Sequence, residues 1–300
     1  MKERLGVIDL GSNTFHLLIV EHSGGNQFNP IFRKRIFTSL SEGGINRIRA
    51  ERIEAGLTAI RAFKNYLDQY ECKRIKVVGT AVLRTASNRN EFIEEAEKIL
   101  GNIIYIIDGI REAEYIYKGI TLSPEVNKGT HLVMDIGGGS TEFILIREGE
   151  KLFSKSYVIG VGTLFELFHK SEPISKKETK DLFSYIQHKT EDLKSVIQEY
   201  QPEYLTGASG SFEVLQFMSG MPVCHNTTFQ ISRQTFLKIY EDVVSADEMT
   251  RKNMEGLPEE RVKLIVVGMI LKRAIFDLVD PTCIYVSPFS LKEGILQEMF

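Results

Sequence analysis

The first part of the chain alternates between two spacings of apolar residues. Short runs with strand character fall at Arg4 to Asp9, Phe15 to Glu21, Phe28 to Phe37, Arg74 to Val78 and Ile103 to Ile107, where branched and aromatic residues sit between turn signals. Phe28 to Phe37 reads as an edge strand. Ile53, Leu57, Ile60, Phe63 and Leu67 recur at the spacing of one helix face, which predicts a helix over 51–70. Further helices are expected over 90–100 and from the Asp108-Gly109 break to near Gly119.

The polar stretch Thr121 to Lys128, which contains Pro124, is the expected domain boundary. It divides the chain into residues 1–125 and 126–300, with a C-terminal helix at about 290–300 that can pack back on the first domain. Beyond it the strand pattern restarts at His131 to Ile136, Thr141 to Arg147 and Leu152 to Val158. The spacing predicts one long helix from Ser175 to Tyr200, opened by a Ser cap with Glu178 three residues on. Another is predicted from Pro258 to Val279, with Pro in its first turn. A strand at Cys283 to Ser287 and a short helix at Leu291 to Met299 follow. The class is α/β.

The restart extends to the residues themselves. Val7-Ile8-Asp9-Leu10-Gly11-Ser12-Asn13-Thr14 leads into the apolar run Phe15 to Val20, and Val133-Met134-Asp135-Ile136-Gly137-Gly138-Gly139-Ser140-Thr141-Glu142 leads into Phe143 to Ile146. Each is a strand ending in Asp, an apolar residue, a Gly-rich turn with hydroxyl side chains, and a second strand. Either turn alone is an ordinary hairpin connection. Their recurrence in register points to an internal duplication, and two duplicated domains are expected to enclose a cleft.

Length and composition fit this picture. Three hundred residues with 43% apolar and 26% charged side chains are enough for two soluble domains. No apolar signal segment follows Met1-Lys2-Glu3-Arg4, and the longest apolar stretch, Leu264 to Leu271, is far short of the roughly 20 residues that span a bilayer. No membrane partner is expected. Cys72, Cys224 and Cys283, odd in number and widely spaced, suit a reducing cytoplasm. The six histidines show no metal-ligand spacing, so packing or surface roles are expected for His16, His22, His131, His169, His188 and His225. A net charge of −3 argues against a nucleic-acid partner held by a broad basic surface. Arg33-Lys34-Arg35 and the group Arg47, Arg49 and Arg52 are either local grips for a polyanion or solvated faces.

Gly-rich turns gather backbone N–H groups into a concave surface that suits phosphate oxygens. Gly11, Ser12, Asn13 and Thr14 form one such candidate, and Gly137, Gly138, Gly139, Ser140 and Thr141 the other. An Asp beside each turn would repel a phosphate by roughly 4 kcal/mol at about 4 Å and an effective dielectric near 20. A divalent cation reverses that sign, and Mg²⁺ (or another divalent cation) binds through one or two carboxylates plus waters and phosphate oxygens. Asp9, Asp135 and Glu142 are the candidate metal carboxylates.

These motifs resemble those of the exopolyphosphatase and guanosine pentaphosphate phosphohydrolase family, in its short two-domain form. Three further stretches carry the resemblance: Gly79-Thr80-Ala81-Val82-Leu83-Arg84-Thr85-Ala86-Ser87-Asn88, Gly109-Ile110-Arg111-Glu112-Ala113, and Gly256-Leu257-Pro258-Glu259-Glu260-Arg261. The resemblance implies the actin-like ATPase (ribonuclease H-like) superfold and release of terminal phosphate from inorganic polyphosphate or guanosine pentaphosphate. It implies Glu112 as the carboxylate that orients or deprotonates the attacking water; residue type alone reads it as a helix-N-terminal Glu favoured by the dipole. Arg84, after a strand, is either a phosphate ligand, since its fork binds bidentately better than Lys, or one half of a surface salt bridge. Two segments depart from the family pattern: Gly207-Ala208-Ser209-Gly210-Ser211 replaces a Gly-Gly-Thr turn, and Leu291-Lys292-Glu293-Gly294 has Lys for Arg. A kinase of the same superfold and a non-catalytic guanosine-nucleotide-binding protein remain as alternatives. A homodimer is the expected assembly.

Overall fold

The computed structural model describes residues 3–22, 24–25, 27–221 and 227–300, so Cys224 and His225 lie outside the described residues. These residues group into two compact units, Met1–Gly119 with Leu291–Phe300, and Ile120–Ser290. The chain thus leaves the first unit ahead of the polar stretch at 121–128, and its last ten residues belong with the first unit.

The first unit runs β1 (Glu3–Leu10), β2 (Thr14–His22), β3 (Phe28–Phe37), α1 (Ala50–Gln69), β4 (Arg74–Gly79), α2 (Ala81–Thr85), α3 (Arg89–Leu100), β5 (Ile104–Ile106) and α4 (Gly109–Ile120). The second contains β6 (Thr130–Ile136), β7 (Thr141–Arg147), β8 (Glu150–Tyr157), α5 (Val161–Phe168), α6 (Lys176–Lys189), α7 (Glu191–Tyr200), β9 (Tyr204–Ala208), α8 (Gly210–Met218), β10 (Phe229–Ser232), α9 (Arg233–Ser245), α10 (Glu248–Lys252), α11 (Ile265–Val279) and β11 (Cys283–Val286). A final helix, α12 (Leu291–Gln297), returns to the first unit.

The two sheets share one plan. In the first the order is β3-β2-β1-β4-β5, and in the second β8-β7-β6-β9-β11-β10. In each, three strands form an antiparallel meander (β1-β2-β3 and β6-β7-β8) and two more add in parallel (β4, β5 and β9, β11), with β10 as an extra antiparallel edge. This is the actin-like ATPase, ribonuclease H-like arrangement, present twice.

The helix-face reading of 51–70 is realised in α1, which buries Leu57, Ile60, Phe63 and Leu67. Each contributes roughly 1.5–3 kcal/mol of hydrophobic stabilisation. His131 is fully buried between Thr206 Oγ1 and Lys128 O, both at 2.8 Å, a packing role.

Two predicted helices differ from the expectation. The stretch 175–200 breaks at Thr190, whose φ of −112° and ψ of 24° leave the helical region and separate α6 from α7. Apolar spacing continues across the break because both helices bury the same side, through Leu182, Ile186, Leu193 and Ile197. The Ser175–Glu178 capping box is present as read. Pro258 does not open α11: its ψ of 139° is extended, a 3₁₀ turn follows at Glu259–Arg261, and α11 starts at Ile265. No element is expected from the sequence at α2, α5, β9, α8, β10, α9 or α10; α2, with five residues, is too short to display a period.

Candidate active site

In the first unit, the β1–β2 register sets Asp9 opposite His16 and Leu10 opposite Phe15, with the turn Gly11–Asn13 between the strands. The carbonyl of Asn13 accepts from Thr38 N (2.9 Å) and Ser39 N (3.0 Å), and that of Ser12 from Ser41 N (3.0 Å). In a trans peptide the N–H points opposite to its carbonyl. The amides of Asn13 and Thr14 therefore face away from the 38–41 loop. Ser12, buried at 3% exposure, accepts at Oγ from Val82 N at 3.1 Å, so the turn caps the first turn of α2. Asn13 Oδ1 accepts from Ser41 Oγ at 2.7 Å.

Helix α2 carries Arg84. Its Nη1 donates to Ile107 O at 2.7 Å and to Glu112 Oε2 at 3.1 Å. Glu112 lies in the first turn of α4, where Asp108 Oδ1 accepts from Arg111 N at 2.8 Å in the manner of an N-cap. Only 7% of Glu112 is exposed. A glutamate serving the helix dipole alone has no reason to be desolvated, so its burial against Arg84 calls for another role.

The second unit repeats the turn with different support. The carbonyl of Gly137 accepts from Val161 N (3.0 Å), that of Gly138 from Gly162 N (2.8 Å), and that of Gly139 from Gly160 N (3.1 Å). The start of α5 takes all three carbonyls, and by the same peptide geometry the amides of Gly138, Gly139 and Ser140 face the other way. Backbone donors gathered on one side of a turn are a candidate surface for phosphate oxygens. Gly160 permits the approach: a Cβ there would lie within 2.5 Å of Gly138 O and Gly139 C. Thr141 Oγ1 donates inward to Ile159 O at 3.0 Å, and Ser140 is buried.

The two units differ at one informative position. Asp9 faces His16 across the hairpin, whereas Asp135 faces Glu142. Directly opposed side chains project from the same face of a sheet about 5 Å apart, and like charges there are destabilising. Asp135 and Glu142 are 7% and 2% exposed. Two buried carboxylates side by side are the hard oxygen donors that Mg²⁺ takes. Among the described residues no group of three His, Cys, Asp or Glu is placed to hold a metal unaided, and a cation bound through one or two carboxylates, water and substrate does not need one.

Serine hydroxyls hold this pair. Ser209 Oγ donates to Asp135 Oδ1 at 2.5 Å, Ser290 Oγ to Asp135 Oδ2 at 2.8 Å, and Ser156 Oγ to Glu142 Oε1 at 2.6 Å. Ser209 has φ 62° and ψ −179°, a region nearly confined to glycine that costs other residues about 1–3 kcal/mol. Ser209, Ser290 and Gly160 were missed as site residues by sequence reasoning. The departure at Ala208-Ser209-Gly210-Ser211 was the one available signal, since a side chain there replaces a glycine.

The basic runs have structural partners: Arg33 pairs with the fully buried Glu293 at 2.8 Å, and Arg52 with Glu42 at 2.6 Å. Open cavities of about 600 and about 570 Å³ lie elsewhere in the second unit, against α6, α7, α9 and α11, and none of the site residues lines them. No helix among the described residues is long and apolar enough to cross a membrane.

Comparison with known proteins agrees with the fold. The model of the Ppx/GppA phosphatase family matches residues 18–300. A guanosine-5'-triphosphate,3'-diphosphate pyrophosphatase of Vibrio parahaemolyticus is 32% identical over 97% of this chain. The match covers 58% of that relative, so the chain spans a little over half the length of the curated relatives it matches. The crystal structure of an exopolyphosphatase from Cytophaga hutchinsonii superposes with a TM-score of 0.93 at 30% identity, covering 99% of this chain and 97% of that one. The Ppx/GppA family member of Aquifex aeolicus, 24% identical with a TM-score of 0.81, shares the fold. With the family motifs in order along the chain and a family match over nearly all of it, the chain belongs to the Ppx/GppA phosphatase family.

Proposed function

We propose that this protein is a phosphohydrolase that releases terminal phosphate from inorganic polyphosphate or guanosine pentaphosphate, with water directed by Glu112. The observation that carries the reading is Glu112 itself, buried at the start of α4 and held by Arg84 in the same unit as the turn Gly11–Thr14. The two substrate classes are those of the pyrophosphatase and exopolyphosphatase relatives.

Phosphoryl transfer passes through a loose transition state, so positioning and charge neutralisation account for most of the catalysis. Gly11, Ser12, Asn13 and Thr14 in the first unit, and Gly137 to Thr141 in the second, are assigned to phosphate oxygens. Arg84 orients Glu112 through Nη1 and offers its remaining N–H groups to phosphate. Glu112 accepts a proton from the attacking water. Asp135 and Glu142, and Asp9 of the first unit, are the carboxylates assigned to Mg²⁺. Held by the carboxylates of either unit, Mg²⁺ would supply charge neutralisation at phosphate oxygens.

The test is phosphate release with Mg²⁺ from polyphosphates of several lengths, guanosine pentaphosphate and ATP. Release from polyphosphate or the pentaphosphate, lost in Glu112→Gln, supports the hydrolase and ranks its substrates. No release from any of them overturns it in favour of a kinase of this superfold or a nucleotide-binding protein.

A further inference from the structure

Asp135 is gripped on both oxygens. The two hydroxyls come from separate places in the second unit: Ser209 follows β9, whose Ala208 pairs with Asp135 in the parallel register, and Ser290 follows β11. Asp135 and Ser290 are 7% and 4% exposed. Each carboxylate oxygen has two acceptor sites. With one serine on each oxygen, the carboxylate cannot rotate without breaking both bonds.

The backbone at Ser209 adds an independent observation. Its φ of 62° belongs to glycine's range, yet the residue carries the side chain that reaches Asp135. A turn with no further task would be better served by glycine. The hydroxyl is what the strained conformation provides.

We propose that Ser209 and Ser290 are positioning residues that fix the Asp135 carboxylate in the orientation that receives a divalent cation. This rests on the assignment of Asp135 as a metal carboxylate. Groups that hold a metal ligand from behind commonly change metal affinity or activity 10- to 100-fold. Ser156 on Glu142 extends the same arrangement to the facing carboxylate.

The experiment is titration of the full chain with Mn²⁺, without substrate, following free Mn²⁺ by electron paramagnetic resonance alongside thermal melting. Ser209→Gly removes both strain and hydroxyl. It is expected to melt at or above the wild-type temperature yet bind Mn²⁺ about 10-fold or more weakly. A merely structural serine would not separate those readouts. Ser290→Ala is expected to weaken Mn²⁺ similarly, and Ser290→Thr to restore it. Wild-type Mn²⁺ affinity in Ser209→Gly, Ser290→Ala and the double variant, with affinity lost in Asp135→Asn, would overturn the positioning role and leave the metal assignment standing. Unchanged affinity in Asp135→Asn itself would overturn both.

Discussion

Arg84 Nη1 lies 3.1 Å from Glu112 Oε2, joining a helix that the first turn caps to a helix that follows the last parallel strand of the sheet. Two segments 28 residues apart are thereby joined. If Glu112 activates water, Glu112→Gln keeps the shape and most of the bond to Arg84 but cannot take a proton. Its rate is expected to fall roughly 10²- to 10⁴-fold, with substrate binding little changed. Phosphate release and equilibrium binding measured side by side check this, and unchanged turnover would remove Glu112 from the mechanism.

Gly160→Ala tests the second turn. At the φ of −73° found here alanine is conformationally acceptable, and stiffening the unfolded chain would by itself stabilise by about 0.4–1 kcal/mol. The clash with the backbone of Gly138 and Gly139 opposes this and costs about 1–3 kcal/mol. The clash should win: the variant is expected to melt lower and, if the displaced peptides carry the amides proposed to hold phosphate, to show a raised KM. A higher melting temperature with normal KM would show that the turn has room.

Lys272, on α11, is fully buried, with Nζ 4.9 Å from the centre of the Phe212 ring. Burial, with a smaller contribution from Arg261, pushes its ammonium down from 10.5 to about 7. The unfolded chain keeps that proton up to about pH 10.5, so between about 7 and about 10.5 it binds more protons than the folded chain. Stability from this residue therefore rises with pH across that window. Lys272→Met should stabilise the protein near neutral pH by a few kcal/mol, to order of magnitude, and flatten the rise. Denaturant unfolding of both proteins at about pH 7 and about pH 9 measures the difference.

Glu298 fastens the last helix to the first unit. It accepts from Tyr115 Oη at 2.6 Å, Lys76 Nζ at 3.0 Å and Lys118 Nζ at 3.2 Å, and also pairs with Arg111. Desolvation raises its pKa, but these bonds outweigh it and hold the carboxyl down to about 2. A depressed carboxylate stabilises fully above its unfolded value, about 4.5, and loses that contribution as pH falls towards 2. At neutral pH, Glu298→Gln should cost about 1–3 kcal/mol and speed amide exchange in α12. Because Gly294 of α12 packs directly on the backbone of Tyr115 in α4, three residues beyond Glu112, kcat is expected to fall as well. Unchanged exchange and kcat would show that apolar packing alone holds α12.

Much of the architecture was legible in local patterns. Strand alternation set β1 to β5 and β6 to β8 to within a residue or two, because a period of two needs only a few residues to declare itself. The recurrence of Asp and a Gly-rich turn foretold two sheets of one plan, since the same short segment imposes the same hairpin twice. Continuity of an apolar face misled at Thr190 and Pro258, because a face continues through a break whenever both pieces bury it against the same core.

By itself, then, the sequence determined most of the strands, the longer helix faces, the duplication and the residue types assigned to phosphate, all of which are read from local patterns along the chain. The tertiary structure decided which side chains meet. The burial of Glu112 against Arg84, the facing of Asp135 by Glu142 in one unit and of Asp9 by His16 in the other, and the grip of Ser209 and Ser290 on Asp135 all depend on strand register and crossover packing. Hydrogen bonds and ion pairs act over a few ångströms in space, and residues 155 positions apart are brought within that range only by the completed fold.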